Sequence, residues 1–511
     1  MRAIKIENIL DKDVLIKVAI LDCLYMKEEW ISAEYLSDIL DCEKKTIHKY
    51  TNDLIKEIQL FAHPDLKFEL TKGRGLRLFA KDHHIYSQFR QYLMGNTITI
   101  NCLMAIFFKK ENSLIALAEK NFISESTTRR KLSQIKKLLI KYEIEVVGKQ
   151  GTYQLLGMEK NVRLYMYYSI WQIFETKNWP FFSIDINKIK KFINDVFEAK
   201  GVYLQEITKH RLSLFMGVCI IRFHQGHEVG EMGRNNVYSP YFSNAKAYRR
   251  FEFRLKEEFF LPPTEAKFIY FFMISQLGIH EELNKLGNVL ALHKDNQSSS
   301  YKSSKYFLDY IEQNYRPLEE TERKDIMVRL LCIHMFIHIF PSFSNEVLDD
   351  PIVAKMKKEL PGLVKEARIM VESIYYKTQR VFLCDNDYLI DQMTQVLYRL
   401  GLGNHFEEKI NIYLDTGLPS ISEEILKGDI LHLLKKQFNV RFLSKEEHEC
   451  EGNSIIDLLV VTGITETLHK RYNFKKMVHV HPDMTKKDLK NLHQAMHKIV
   501  RHKESVGEFL E

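Results

Sequence analysis

Apolar residues recur every three or four positions along most of the chain, which is the spacing of one face of an α-helix. Alternation of apolar and polar residues, which is typical of β-strands, is confined to short runs. These runs are 67–79, 144–156, 409–414, 455–461 and 477–480. The pattern predicts a mainly α, multidomain protein whose C-terminal region alternates strand and helix, as a small parallel α/β sheet does.

The same order of elements occurs twice within residues 1–160: two helices, a turn, a basic helix and a β-ribbon. Ser32 is placed to cap a helix over 33–40, and Ser113 is placed to cap one over 114–120. This order is typical of the winged helix-turn-helix, in which the second helix of the motif enters the major groove of DNA. The duplication predicts two such units in tandem.

In the first unit, the second helix of the motif is predicted over 43–58, with an apolar seam centred on Ile47. Its opposite face is polar and basic. An asparagine can form two hydrogen bonds with adenine, and a lysine neutralises phosphate or reaches guanine. The candidate DNA contacts of this helix are Lys45, His48, Lys49 and Asn52.

In the second unit, Ser124 or Glu125 opens a helix predicted to extend to about Tyr142. Its apolar seam is formed by Thr128, Leu132, Ile135 and Leu139. Arginines lie in its N-terminal half, the part usually inserted into the groove. This helix is therefore the better candidate for sequence recognition. Its candidate DNA contacts are Ser126, Thr127, Arg129, Arg130, Ser133 and Lys137.

Both β-ribbons are predicted to act as wings, because each turns at glycines and carries basic residues at its tip. Gly73 and Gly75 allow the first turn, which would present Lys72 and Arg74. The second ribbon turns within 148–151 and would present Lys149.

The charge distribution favours the second unit. The whole chain has a net charge of only +7 over 511 residues, which says little about nucleic acid. Residues 101–150, however, contain ten Lys and Arg against five acidic residues. The local excess coincides with the predicted recognition helix.

Composition excludes several other classes of protein. Hydrophobic residues make up 45% of the chain, yet no apolar run approaches the roughly 20 residues that span a bilayer, and no signal peptide is evident. Seven cysteines are scattered singly, which indicates neither a disulfide framework nor a zinc finger. Close histidine pairs lack a third ligand, and phosphate-binding or nucleophile motifs are not found. We therefore expect a cytoplasmic protein that is not an enzyme, with no cofactor and no metal.

Three segments together resemble the Mga/AtxA-like family of virulence regulators. They are the turn before the second recognition helix with the start of that helix (122–132), the end of its ribbon (153–157) and the arginine-aromatic helix that follows (162–172). The resemblance in order extends over nearly the whole chain, and it is specific only across about 110–175. It implies a DNA-binding transcription regulator controlled through PTS regulation domains, which accept phosphoryl groups from the sugar phosphotransferase system.

By this resemblance, His210 and His334 are the candidate phosphorylation sites. A phosphoryl group on histidine adds about two negative charges and can bias a helix interface. Each histidine is also compatible with a structural role in a core or a cap, and the apolar neighbours of His334 favour that interpretation. The second acceptor positions hold Phe272 and Thr394, so the sequence departs from the family pattern there.

The C-terminal region is similar to the enzyme IIB-like domain of the same family. A catalytic domain of that type needs a cysteine just after its first strand, where this chain has Asp415, Thr416 and Ser420. Phosphotransfer is therefore not expected, and docking or dimerisation is the better hypothesis. The predicted domains are a first winged unit (1–85), a second winged unit (86–160), two PTS regulation domains (161–292 and 293–404) and the enzyme IIB-like domain (405–511).

The expected partners are double-stranded DNA, phosphotransferase-system proteins such as a phosphocarrier or enzyme IIB, and a second copy in a homodimer, with no membrane. Two alternatives remain at this point. One is an RNA-binding antiterminator, which can share the regulation domains, although its RNA-binding head is a small β domain. The other is an adaptor whose helix-turn-helix units contact only protein.

Overall fold

A computed structural model describes residues 10–507 except 28, 111, 175–178, 182, 200, 231–245, 277–278, 280–288, 345–350, 379–385, 436, 446–455 and 464–466. The chain forms two compact units, Met1–Asp349 and Asp350–Glu511. Helix is the dominant secondary structure, which confirms the prediction of a mainly α, multidomain protein.

The first repeat consists of three helices, an antiparallel ribbon and a fourth helix. Ile47, Leu54, Leu76 and Phe89 lie in its shared apolar core. The third helix ends three residues later than predicted, because the chain leaves it only at Ala62, whose left-handed backbone returns its N–H to Ile58. The elements are α1 (Lys12–Lys27), α2 (Ala33–Leu40), α3 (Lys44–Phe61), β1 (Leu66–Thr71), β2 (Gly75–Ala80) and α4 (His83–Gly95).

The second repeat has the same order and leads into a long buried helix. Ser113 and Ser124 cap their helices through side-chain oxygens, as predicted. The recognition helix ends at Leu139 and continues as a 3-10 turn over Ile140–Tyr142, whereas the sequence predicts one helix throughout. The elements are α5 (Ile98–Phe108), α6 (Leu114–Lys120), α7 (Glu125–Leu139), β3 (Ile144–Lys149), β4 (Thr152–Gly157) and α8 (Glu159–Phe174).

The rest of the first unit is helical in the part of the chain that the structure describes. Its buried faces are rich in Phe, Ile and Leu, as on α12, where Phe268, Phe271 and Phe272 are all buried. The helices are α9 (Ile186–Glu198), α10 (Glu206–His224), α11 (Lys246–Phe259), α12 (Pro263–Ile274), α13 (Val289–Asp295), α14 (Ser299–Asn314), α15 (Glu320–Ile339) and α16 (Pro341–Ser344).

The second unit begins with three helices and ends in a sheet with strand order β6-β5-β7-β8, in which every pair is parallel. All six residues of β7 are buried, because helices cover one face of the sheet and further apolar side chains the other. The elements are α17 (Pro351–Glu359), α18 (Pro361–Thr378), α19 (Asp387–Leu397), β5 (Lys409–Asp415), α20 (Ser420–Leu434), β6 (Asn439–Phe442), β7 (Ile456–Val461), α21 (Leu468–Arg471), β8 (Phe474–His479) and α22 (Lys486–Gly507).

Secondary structure crosses several of the predicted domain limits. The limits after residues 85, 160 and 292 fall inside α4, α8 and α13, so each of these helices is shared by neighbouring predicted domains. The division into five domains therefore stays a prediction. None of the helices among the described residues has the length and apolar character needed to cross a bilayer.

Candidate nucleic-acid interface

Helix α7 is fixed at its N-terminus and along one face. The Ser124 hydroxyl accepts the Thr127 amide at 3.2 Å, and Thr128 Oγ1 donates back to the Ser124 carbonyl. The seam predicted from the sequence is confirmed, since all four of its residues are buried: Thr128, Leu132, Ile135 and Leu139. Because this face packs against the rest of the protein, the opposite face is the one that can contact a partner.

That opposite face holds the residues predicted to contact DNA. Ser126, Arg129, Arg130, Ser133 and Lys137 are exposed, and Thr127 is half-buried. Arg129 lies 3.5 Å from Glu125 in a solvent-exposed pair, which is weak and can be exchanged for a phosphate contact. For Arg130, no hydrogen bond or ion pair is found among the described residues.

Lys131 does not contribute to this surface, although it belongs to the local excess of positive charge. Its side chain is only 8% exposed and forms an ion pair with Asp11, which immediately precedes α1. A lysine in the middle of the basic run turns inward because helical spacing places it beside the seam. The ion pair connects the two repeats, and nothing in the local sequence around Lys131 indicates it.

The ribbon that follows α7 is a two-residue hairpin. Gln150 and Gly151 both have positive φ, 51° and 77°, as a turn of the primed type requires. Lys149 is exposed beside the turn. The Tyr153 amide and the Asn112 carbonyl are hydrogen-bonded at 3.1 Å, which anchors the ribbon beside the start of α6. The wing is therefore held at a defined place next to the helix-turn-helix.

The first repeat presents a similar but less basic surface. The apolar seam of α3 is buried at Ile47, Thr51, Leu54 and Ile58. Its predicted DNA contacts are all exposed: Lys45, His48, Lys49 and Asn52. The structure therefore brings the amide and basic side chains together on one face, as the helical spacing predicts.

The first wing is fixed by contacts that the sequence does not reveal. Ile31 and Leu76 exchange two backbone hydrogen bonds of 2.8 Å, so the chain between α1 and α2 pairs with β2. Gly75 has a φ of +109°, and a Cβ there would lie 2.4 Å from the Ile31 carbonyl oxygen. Both Lys72 and Arg74 are exposed, and the Arg74 guanidinium lies 4.7 Å from the centre of the Trp30 ring. This stacking restricts the wing-tip arginine.

The turns of the two helix-turn-helix motifs share two features of their backbone geometry. Asp41 in the first and Phe122 in the second are left-handed, with φ of 47° and 52°. The next residue donates to the carbonyl five positions earlier in both, from Cys42 to Ser37 and from Ile123 to Ala118. Phe122 is also 96% exposed, an unusual place for phenylalanine that the helical spacing does not predict.

Helix α8 connects the second repeat to the helical region through buried charges. Glu159 is bound by Arg222 through two hydrogen bonds of 2.7 Å and by Arg163. Arg163, which is completely buried, also forms a paired contact with Glu265 on α12. A buried charge is tolerated only when it is paired in this way. Asn161 on the same helix donates to the Tyr142 carbonyl, in the 3-10 turn that follows the recognition helix.

The two candidate phosphorylation sites lie inside the helical region. His210 on α10 is 7% exposed, and its ring centre is 6.2 Å from that of Trp171 and 6.5 Å from that of Trp179. His334 on α15 is completely buried, with Nδ1 2.9 Å from the Ser304 hydroxyl. Their phosphorylation stays a prediction, and it requires each histidine to become accessible.

No cluster of His, Cys, Asp or Glu side chains in the described part of the chain has an arrangement that could hold a metal ion. The cysteines that the structure describes, at 23, 42, 102, 219 and 332, are free thiols. Cys384 and Cys450 lie outside the described residues.

The comparison with known proteins agrees with this geometry. A family profile described as the Mga helix-turn-helix domain matches residues 83–170, which include α4 to α7, the second wing and most of α8. The fold and this match together define a helix-turn-helix domain in this part of the chain. The match supports the Mga/AtxA-like family of virulence regulators, which the sequence resemblance predicted.

Three relatives come from Bacillus anthracis. The capsule synthesis positive regulator AcpA is 21% identical over 94% of this chain and 98% of its own length. The capsule synthesis positive regulator AcpB is 24% identical over 60% of this chain and 63% of its own length. The anthrax toxin expression trans-acting positive regulator is 22% identical over 53% of this chain and 55% of its own length.

Proposed function

We propose that this protein is a DNA-binding transcription activator that recognises its sites mainly through α7 and is assisted by α3 and the two wings. The observation that carries the proposal is the exposed face of α7, where Arg129 and Arg130 lie near a capped N-terminus. Guanidinium groups at that place can reach guanine O6 and N7 in the major groove. Activation rather than repression is supported by the relatives, which are named positive regulators.

The wings supply the contacts that position such a protein on a duplex. Lys149 at one tip and Lys72 and Arg74 at the other are exposed, and backbone pairing anchors both ribbons. Contacts with phosphate fix register and orientation, whereas contacts with bases supply specificity. We assign the first role to the wings and the second to α7, with Asn52 of α3 as a further base contact.

The proposal includes control by the phosphotransferase system in the cytoplasm. Residues 161–292 and 293–404 would act as PTS regulation domains, with His210 and His334 as acceptors, and a homodimer would fit paired DNA sites. The C-terminal domain would serve docking or dimerisation. In support, Thr416 follows β5 where a catalytic cysteine would be needed, and its hydroxyl hydrogen-bonds to Glu423.

The central test is the change of Arg129 and Arg130 together to alanine in the full chain. We expect at least a tenfold loss of affinity for a duplex selected by footprinting, since two charged contacts are removed. The slope of log affinity against log salt should also fall by up to about 1.8 if both arginines neutralise phosphate. Fluorescence anisotropy at several salt concentrations measures both quantities.

A matched control is available on α11, where Arg249 and Arg250 are likewise adjacent and exposed. Their double change to alanine removes the same charge and should leave affinity within about twofold. Equal losses in the two variants would remove α7 from the recognition role. Tighter binding of the wild type to an RNA hairpin than to any duplex would favour the antiterminator instead.

A further inference from the structure

The C-terminal part of the chain contains a long segment with a large excess of positive charge. Residues 470–503 include ten Lys and Arg and two Asp, an excess of eight, whereas the whole protein has a net charge of +7. Outside this segment the chain is therefore close to neutral. Such an imbalance creates a positive potential over one region of the surface. The predicted DNA-binding units do not include this segment.

Some of these charges are used inside the domain. Lys475 and Lys503 lie 3.0 and 2.7 Å from the carboxylate of Asp457, which is buried in β7. They compensate a buried negative charge, so they are not available to a partner. Three other lysines, Lys476, Lys487 and Lys498, are exposed and have no hydrogen bond or ion pair within the described residues.

These three lysines line one cleft. It has a volume of about 430 Å³ and lies between β8, which is an edge strand, and α22. The helix contributes positions 487, 491, 494 and 498, whose spacing of four, three and four residues places them in one row. At 1.5 Å per residue the row is about 16 Å long.

The polar groups of the cleft are suited to a chain of phosphates. Lys487 and Lys498 stand at the ends of the helical row, with Asn491 and Gln494 between them as amide donors, and Lys476 faces the row from the strand. The Asp488 carboxylate is occupied by the backbone amide and the hydroxyl of Thr485, 2.9 and 2.7 Å away. The row extends over roughly five base-pair steps of a duplex at 3.4 Å per step.

A protein partner fits these features less well. Protein interfaces depend on aromatic, Met or Arg anchors that fill apolar pockets, and Lys is depleted there. The cleft has no Phe, Tyr or Trp in its lining, and its only apolar lining residues are Met477, Val478 and Ala495. Lysines act on phosphate as point charges and do not require a fixed geometry. The arrangement therefore favours a polyanion with regularly spaced charges.

We propose that this lysine cleft is a second DNA-binding surface, which contacts the sugar-phosphate backbone without reading sequence. It is separate from α3, α7 and the wings in the proposed function. Its contribution should be uniform across sequences and should weaken steeply with salt, because phosphate contacts release counterions.

The test uses the full chain with Lys476→Gln, Lys487→Gln and Lys498→Gln combined, and a scrambled duplex of about 40 base pairs as the probe. Three lost phosphate contacts should reduce the magnitude of the salt slope by about 2.7. Affinity at low salt should fall at least tenfold. The three side chains are exposed, so the thermal unfolding midpoint should remain that of the wild type.

The matched control changes Lys302, Lys305 and Lys365 to Gln, since these lysines are also exposed and lack a described partner. An unchanged slope in the cleft variant, or an equal change in the control, would overturn the proposal. The same would hold if the cleft variant kept its DNA affinity but lost binding to a phosphocarrier protein.

A photo-crosslinking side chain at position 491 provides a second readout that does not depend on affinity. We expect DNA to be crosslinked from position 491 and not from position 305; absence of DNA crosslinks from 491 would count against the cleft. The Arg129 and Arg130 variant separates this proposal from the main one. That variant should lose sequence preference and retain the crosslink from position 491.

Discussion

Phe122 combines an unfavourable backbone conformation with an exposed aromatic side chain. Its φ of 52° is left-handed, a region where residues with a Cβ are strained by roughly 1–2 kcal/mol. Its side chain is 96% exposed, so burial of the ring contributes almost nothing to the stability of the fold. Glycine would avoid the strain. A strained and exposed aromatic residue beside the recognition helix is therefore a functional candidate, because strain tends to be retained at functional sites.

We predict that Phe122→Gly raises the free energy of unfolding by about 1 kcal/mol, because relief of strain exceeds the greater entropy of glycine in the unfolded chain. Phe122→Ala is the control, since it removes the ring but keeps the strained backbone. Urea denaturation of both variants measures the difference. If the alanine variant were as stable as the glycine variant, the left-handed backbone would not be the cause.

At the scale of helices, the buried charges around α8 connect the second winged repeat with the helical region. Lys109 at the end of α5 donates to the Gln225 carbonyl beyond α10, and Gln225 donates to the Phe107 carbonyl. Next to these contacts lies His227, whose backbone carbonyl accepts from Arg163. A change in the packing of α10 would therefore reach the end of α5 through paired polar groups.

Burial, together with the positive charge of Arg222, lowers the pKa of His227 to about 4. The histidine of the unfolded chain, with a pKa near 6.5, therefore binds a proton at a higher pH than His227 does in the folded protein. Stability should be complete above about pH 6.5 and should decline as the pH falls towards 4. Denaturation at pH 7 and pH 5 checks this, and His227→Gln should flatten that part of the profile. A wild-type stability that does not decrease between these two values would contradict the prediction.

Over the whole molecule, the sensing histidines predicted from the family lie in the interior, whereas the predicted DNA contacts lie on the surface. His210 is placed among the rings of Trp171 and Trp179. A phosphoryl group brings about two negative charges, which such an apolar site cannot accommodate without rearrangement. Phosphorylation would thus act by opening the helical region, and α8 would transmit the change to α7.

We predict that His210→Glu, which places a negative charge in this site, lowers the free energy of unfolding by about 3 kcal/mol relative to His210→Gln. Its affinity for DNA should change as well, in contrast to the glutamine variant. Denaturation and anisotropy measure the two effects. Equal stability of the two variants would mean that position 210 is already accessible. Incorporation of phosphate from phosphotransferase proteins within 165–290 should be lost in both, and a persistent signal there would assign the acceptor to another histidine.

Helical periodicity and turn residues alone determined much of the DNA-binding region. The seams of α3 and α7, their capping serines and the two glycine-bearing ribbons follow from local sequence, because each depends on residues within a few positions of one another. The exposure of Arg129, Arg130 and Lys49 follows from the same spacing, since burial of one face leaves the other outside.

Only the tertiary structure decided which charges are available to a partner. Lys131 is paired with Asp11, and Lys475 and Lys503 with Asp457, although the sequence shows all three as members of basic runs. The row of Lys487, Asn491, Gln494 and Lys498 becomes a cleft only because α22 lies beside the edge strand β8. The physical reason is the distance along the chain over which each feature is determined. Secondary structure is set by residues that are neighbours in sequence. The partner of a charge and the wall of a cleft come from distant segments, and packing of the core brings these segments together.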